Sequence, residues 1–192
     1  PHGSYVGVYG PRQPKGVSRA ALGLPADGFI ALNLWTLRPY KGLELLLEAW
    51  SSDAGRLVIA GGVKAAAYAA QLRAQARPLA GVDLRLDFVP DAELPTWLGA
   101  ADVVVLPYRK LLTSGMLLAA LSYGVPVIAP DVAPVRELVR EGEQGFLFTP
   151  GAAESLRAAL GRAAAHPNLA ALGERAYQTA LHFDWPGIAA KT

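Results

Sequence analysis

The chain has 192 residues, 52% hydrophobic and 18% charged, which suits one α/β domain with a substantial core and excludes a disordered tail. It contains no cysteine, which excludes a disulfide framework, a thiolate zinc site and a thiol nucleophile and fits a reducing, cytoplasmic compartment. A net charge of +2 is too mild to argue for nucleic acid without a Lys/Arg stripe, and no apolar run reaches the length of a membrane span.

The chain opens on Pro1-His2-Gly3 with no initiator methionine and reads as an excised piece of something longer. Apolar strands then alternate with helical segments. Strands are predicted at Phe29–Trp35, Leu57–Ala60, Val82–Phe88, Val103–Leu106, Val125–Ala129 and Phe146–Phe148. Helices are predicted between and after them, at Gly42–Trp50, Lys64–Arg77, Asp91–Ala100, Gly115–Tyr123, Pro134–Arg140, Ala152–Ala165 and Leu169–His182. Asp91 is the expected N-cap of its helix, Gly124 follows a helix end, and Pro126 fits only the start or a bulge of its strand.

Strands that are apolar at nearly every position are buried on both faces, the mark of a parallel sheet. Strict β-α-β alternation implies right-handed crossovers and a doubly wound, Rossmann-like sheet of about six strands in the order 3-2-1-4-5-6. Ligands of such sheets bind at the carboxyl ends of the first and fourth strands, where the order reverses. Both loops there are basic. One reads Thr36-Leu37-Arg38-Pro39-Tyr40-Lys41-Gly42 and the other runs from Pro107-Tyr108-Arg109-Lys110 through Thr113-Ser114-Gly115. A pyrophosphate would meet Arg38 and Lys41 on one side and the Ser114–Met116 amides on the other, because first-turn N–H groups are unpaired and the helix dipole is positive there.

Competing motifs are missing. There is no GxGxxG after the first strand, no Walker lysine, no Ser/His/Asp order and no D-x-D signature. His2, His166 and His182 share no metal-ligand spacing, so no metal site is expected; His2 lies where it could face a partner domain. Gly61-Gly62 is either a tight turn or a nucleotide-facing loop.

At these residues the chain resembles the C-terminal, donor-binding half of a GT-B glycosyltransferase of the family 4, or group 1, type. The likeness runs through Pro1-His2-Gly3, Arg38-Pro39-Tyr40-Lys41-Gly42-Leu43 and Leu57-Val58-Ile59-Ala60-Gly61. It continues through Phe88-Val89-Pro90, Glu93-Leu94, Ala101-Asp102-Val103, Tyr123-Gly124-Val125-Pro126-Val127, Glu137-Leu138-Val139 and Gly145-Phe146-Leu147. The resemblance implies a domain over 1–183 and a tail over 184–192 directed toward a missing N-terminal acceptor domain. It also implies a UDP- or GDP-linked sugar donor, no further cofactor, and a retaining, metal-independent transfer to an acceptor hydroxyl. The implied diphosphate contacts are Arg38, Lys41, Arg109, Lys110, Thr113, Ser114, Gly115 and Met116, with Gly61, Phe88, Val89 and Ala119 at the nucleotide. A full-length protein of this type is expected in the cytoplasm, peripherally associated with membrane, and the isolated half is expected to bind donor without turnover.

The chain departs from the family pattern at informative places. Leu111 and Ala119 stand where E-x7-E is usual, Thr36 where an arginine is common, and Pro90 where glycine is usual. Leucine and alanine cannot accept hydroxyl hydrogen bonds, so Thr113, Ser114 or backbone groups would have to serve. The alternatives are a non-catalytic nucleotide-sugar-binding module and, last, a receiver-like signalling domain, which would need acids where cations stand.

Overall fold

The computed structural model describes residues 3–109 and 114–183. His2, loop residues 110–113 and the expected tail at 184–192 lie outside them. Six strands form one sheet: β1 (Ile30–Leu34), β2 (Arg56–Ala60), β3 (Val82–Arg85), β4 (Val103–Val105), β5 (Val127–Pro130) and β6 (Gly145–Phe148). All pairings are parallel and the order is β3-β2-β1-β4-β5-β6. The helices are α1 (Lys15–Ala21), α2 (Leu43–Ala49), α3 (Ala66–Ala76), α4 (Leu94–Ala100), α5 (Gly115–Ser122), α6 (Ala133–Arg136), α7 (Ala153–Ala164) and α8 (Leu169–Leu181). None of them is long and apolar enough to cross a membrane.

The period-two alternation of the strands feeds two cores. Ala31, Leu57, Ile59, Val103, Val105 and Ile128 face one way, against α2, α3 and α7. Ile30, Leu32, Leu34, Val58, Val104 and Val127 face the other, against α4, α5 and α8. Each fully buried Leu, Ile or Val contributes about 1.5–3 kcal/mol, so the central strands are apolar at nearly every position; buried Asn33 of β1 differs, its Nδ2 donating to Val105 O at 2.9 Å.

Several sequence expectations are corrected at their edges. The third strand stops at Arg85 rather than Phe88, and Phe88 lies 74% exposed in the loop beyond. Asp91 caps nothing: a 3-10 turn spans Asp91–Glu93, and α4 starts at Leu94 because Pro95 is tolerated only in a first turn. The helix expected from Gly42 begins instead with a 3-10 turn at Pro39–Lys41, after which α2 starts at Leu43. Pro126 lies just before β5 and contributes its carbonyl, accepting from Val104 N at 2.9 Å. Helix α6 ends at Arg136, not Arg140. Helix α1 was not anticipated at all.

That helix is tied to the amino ends of the strands by one carboxylate. Asp102 accepts from the Arg19 guanidinium at 2.7 Å, from Ile30 N at 2.7 Å and from Lys15 Nζ at 2.5 Å. Arg19, only 2% exposed, spends its other N–H groups on the Ala100 and Ala26 carbonyls. A buried charge this fully paired is costly to break from one side.

At the carboxyl ends the backbone is tight in two places. Trp35, the residue after β1, has φ +90, a conformation that bulky L residues rarely adopt. Its amide donates to Ala60 O at 3.0 Å, and its carbonyl lies where a Cβ on Gly61 would be. Gly42, at φ +72, brings the loop after β1 onto the loop after β4: a Cβ there would run into the Pro107 carbonyl and lie 3.7 Å from Arg109 Cγ.

Two stability measurements follow from these contacts. Arg19→Met should lower the unfolding free energy by about 3 kcal/mol in urea titration, whereas Lys15→Met at half-exposed Lys15 should cost under about 1 kcal/mol. Gly42→Ala should cost roughly 2–4 kcal/mol, since it combines a strained φ with a backbone collision.

Candidate functional site

The loop after β1 is shaped by its own residues. Arg38 is extended, Pro39 sets the first turn of the 3-10 segment, and Gly42 reverses the chain into α2. Arg38 and Tyr40 are exposed, while Lys41 is half-buried. Burial, and then the like charge of Arg38, hold the Lys41 ammonium below the usual lysine pKa. A cation partly stripped of water beside a second cation gains more from an arriving anion than either would alone.

The loop after β4 meets it from the other side. Tyr108 is buried, and burial raises its hydroxyl pKa; hydrogen bonding with Ser114 opposes this, and Tyr40 adds to it. Tyr108 thus has a neighbour in each of the two loops. Ser114 caps α5, its Oγ accepting from Leu117 N at 3.1 Å. The Gly115 and Met116 amides have no acceptor among the described residues, and they lie in the first turn of the helix, where the helix itself supplies none. The Met116 side chain is inside the core.

Arg109 is exposed and its stem passes over Gly42. Nearby is the buried Tyr68 hydroxyl, which has no partner at hydrogen-bond geometry among the described residues. Its pKa is pushed up by burial and then by Glu44, with Arg109 acting the other way. Glu44 lies in the first turn of α2.

Gly42 thus sets the loop that carries Arg38 and Lys41 against Pro107 and Arg109 of the loop after β4, and Tyr108 in that loop neighbours both Tyr40 and Ser114. Lys110 and Thr113 lie outside the described residues. On the β2–β3 side, Gly62 sits beside Phe88, whose Cα would be 3.6 Å from a Cβ on Gly62. Gly61 is buried against Trp35, Val89 is 6% exposed, and Ala119 is fully buried. Of the four residues assigned to the nucleotide, Phe88 alone presents a broad face to solvent.

Sequence reasoning did not single out Trp35, Glu44, Tyr68 or Tyr5. Tyr5 reaches α5 from the N-terminal segment, with its hydroxyl 2.9 Å from where a Cβ on Gly115 would lie. None carries a motif signal; their roles arise from tertiary placement.

Residues 29–166 match the family model described as glycosyl transferases group 1. The D-inositol 3-phosphate glycosyltransferase of Thermobispora bispora is 29% identical over 199 residues, covering 93% of this chain and 45% of that protein. Sucrose-phosphate synthase from Thermosynechococcus elongatus superposes with a TM-score of 0.81 at 28% identity, covering 94% of this chain and 47% of that one. Anabaena Alr3699/HepE in complex with UDP gives 0.83 at 25% identity, covering 98% and 54%, and its complex with UDP-glucose gives 0.82. The chain spans less than half the length of the curated relatives it matches. With an open six-stranded parallel sheet of the GT-B half-domain kind and the family match across its centre, the chain belongs to the group 1 glycosyltransferases.

Proposed function

We propose that this chain is the donor-binding half of a GT-B glycosyltransferase of family 4, which transfers a glycosyl group from a UDP- or GDP-linked sugar to an acceptor hydroxyl. The observation that carries this reading is the packing of two basic loops against one another at the sheet's switch point, with a half-buried Lys41 in the first and Arg109 in the second. The HepE complexes with UDP and UDP-glucose favour a uridine diphosphate donor. The acceptor platform and any base belong to an N-terminal half, in keeping with relatives more than twice as long. The full-length protein would work in the cytoplasm, at the membrane surface.

In the transfer, the acceptor oxygen attacks the anomeric carbon while the bond from that carbon to the diphosphate oxygen breaks, and the acceptor's proton passes to the departing diphosphate oxygen or to a base of the N-terminal half. Negative charge grows on the leaving diphosphate. Lys41, Arg38, Arg109 and the Gly115 and Met116 amides are the groups that stabilise it, with Lys41 already partly dehydrated before the bond breaks. This device needs no metal ion and no cofactor beyond the donor itself, and the reading assigns retention of anomeric configuration. A second reading, a nucleotide-sugar-binding module without turnover, is favoured by Leu111 and Ala119, which offer no carboxylate to the donor. Sugar release by the full-length protein from a panel of UDP- and GDP-sugars separates the two.

Lys41→Ala should weaken UDP binding by about 1.5–3 kcal/mol, read by titration calorimetry; equal affinity in both proteins would remove Lys41 from the site. Because the Lys41 pKa is lowered, its charge is lost earlier than an ordinary lysine's as pH rises. UDP affinity should therefore fall with rising pH at a lower pH than an ordinary lysine would give, with proton uptake on binding in that range, and Lys41→Arg should flatten that profile.

A further inference from the structure

We infer that Tyr5 is a donor-binding residue whose hydroxyl is held at the first turn of α5 to hydrogen-bond the terminal phosphate of the bound nucleoside diphosphate. The inference rests on the donor reading above and adds a residue to it from a segment with no recognised motif.

Two anchor points define how Tyr5 lies. Its backbone amide donates to Ser122 Oγ at 2.9 Å, and the Ser122 hydroxyl in turn donates to Leu118 O at 2.6 Å. Its own hydroxyl sits 2.9 Å from the place a Cβ on Gly115 would occupy. Gly115 and Ser122 are two helical turns, about 10 Å, apart on the same face of α5, with Ala119 between them. The tyrosine therefore runs back along the helix over Gly115, Ala119 and Ser122. Its position accounts for the small residues there: Ala119 is fully buried beneath this segment, and any side chain at 115 would take the hydroxyl's place.

The ring is held where it lies. Tyr9 stacks on it with centroids 5.5 Å apart and planes 19° from parallel. The Tyr123 hydroxyl donates to Gly10 O at 2.9 Å, fastening the same segment one turn further on. The Tyr5 hydroxyl makes no hydrogen bond among the described residues and lies over Gly115, the first residue of α5. Burial, and then the nearby Asp91 carboxylate, raise its pKa, so at neutral pH it keeps its proton and acts as a donor. A proton-bearing hydroxyl over the first residue of a helix adds a side-chain donor to a first turn whose N–H groups the helix leaves unpaired, and phosphate oxygens accept from both kinds of donor.

The test compares UDP with UMP by titration calorimetry on the 192-residue chain, wild type against Tyr5→Phe, with GDP and GMP used instead if guanine is the base that binds. The expected result is a roughly tenfold loss of diphosphate affinity, no change for the monophosphate, and an unchanged thermal midpoint. Gly115→Ala, which displaces the hydroxyl but keeps the ring, should reproduce the diphosphate-selective loss. Equal diphosphate affinity in Tyr5→Phe and wild type, or an equal loss for the monophosphate, would overturn the assignment. If the wild-type chain binds neither UDP nor GDP, the donor reading fails first, before any substitution is compared.

Discussion

The pairing of β1 with β4 is the constraint from which the site follows. These strands share a parallel ladder, Ala31 opposite Val103 and Leu32 opposite Val104, yet their onward connections leave toward opposite faces. The chain after β1 enters α2 over one core, and the chain after β4 enters α5 over the other. A gap must open where connections diverge, and here both carry cations into it. Gly42 lets the two loops close to van der Waals contact at the base of that gap.

The two ends of the sheet treat charge in contrasting ways. At the amino end, Asp102 neutralises Lys15 and Arg19 and also ties down the β1 backbone, a closed arrangement with little left to offer a ligand. At the carboxyl end, Arg38, Lys41 and Arg109 have no ion-pair partner among the described residues. The amino end is closed by ion pairs, whereas at the carboxyl end only Lys41 is partly dehydrated and the two arginines are exposed.

The sheet was legible in the sequence because burial on both faces leaves a local imprint: four or five apolar residues in a row, repeated between helical segments. The two basic loops were legible for the same reason, since they sit where those runs end. Strand and helix ends were less so. Phe88 extends an apolar run without being buried, and Asp91 looks like a cap although Pro95 sets where α4 can begin. Helix α1 was missed because its face toward the core presents Ser18 and Arg19, whose burial depends on Asp102 far along the chain. Tyr5 lies in a Gly- and Pro-rich stretch that reads as loop, and only the fold shows it lying along α5.

Trp35 and Gly61 show how far such long-range dependence can reach. One residue holds an unfavourable left-handed backbone, and the other has no side chain because that backbone's carbonyl fills the space. A side chain at 61 therefore requires the backbone at 35 to move, whereas a substitution at 35 that keeps this backbone leaves Gly61 undisturbed. The dependence runs one way, from the turn after β1 to the residue after β2, and it ties the course of one loop to the size of a residue in the next.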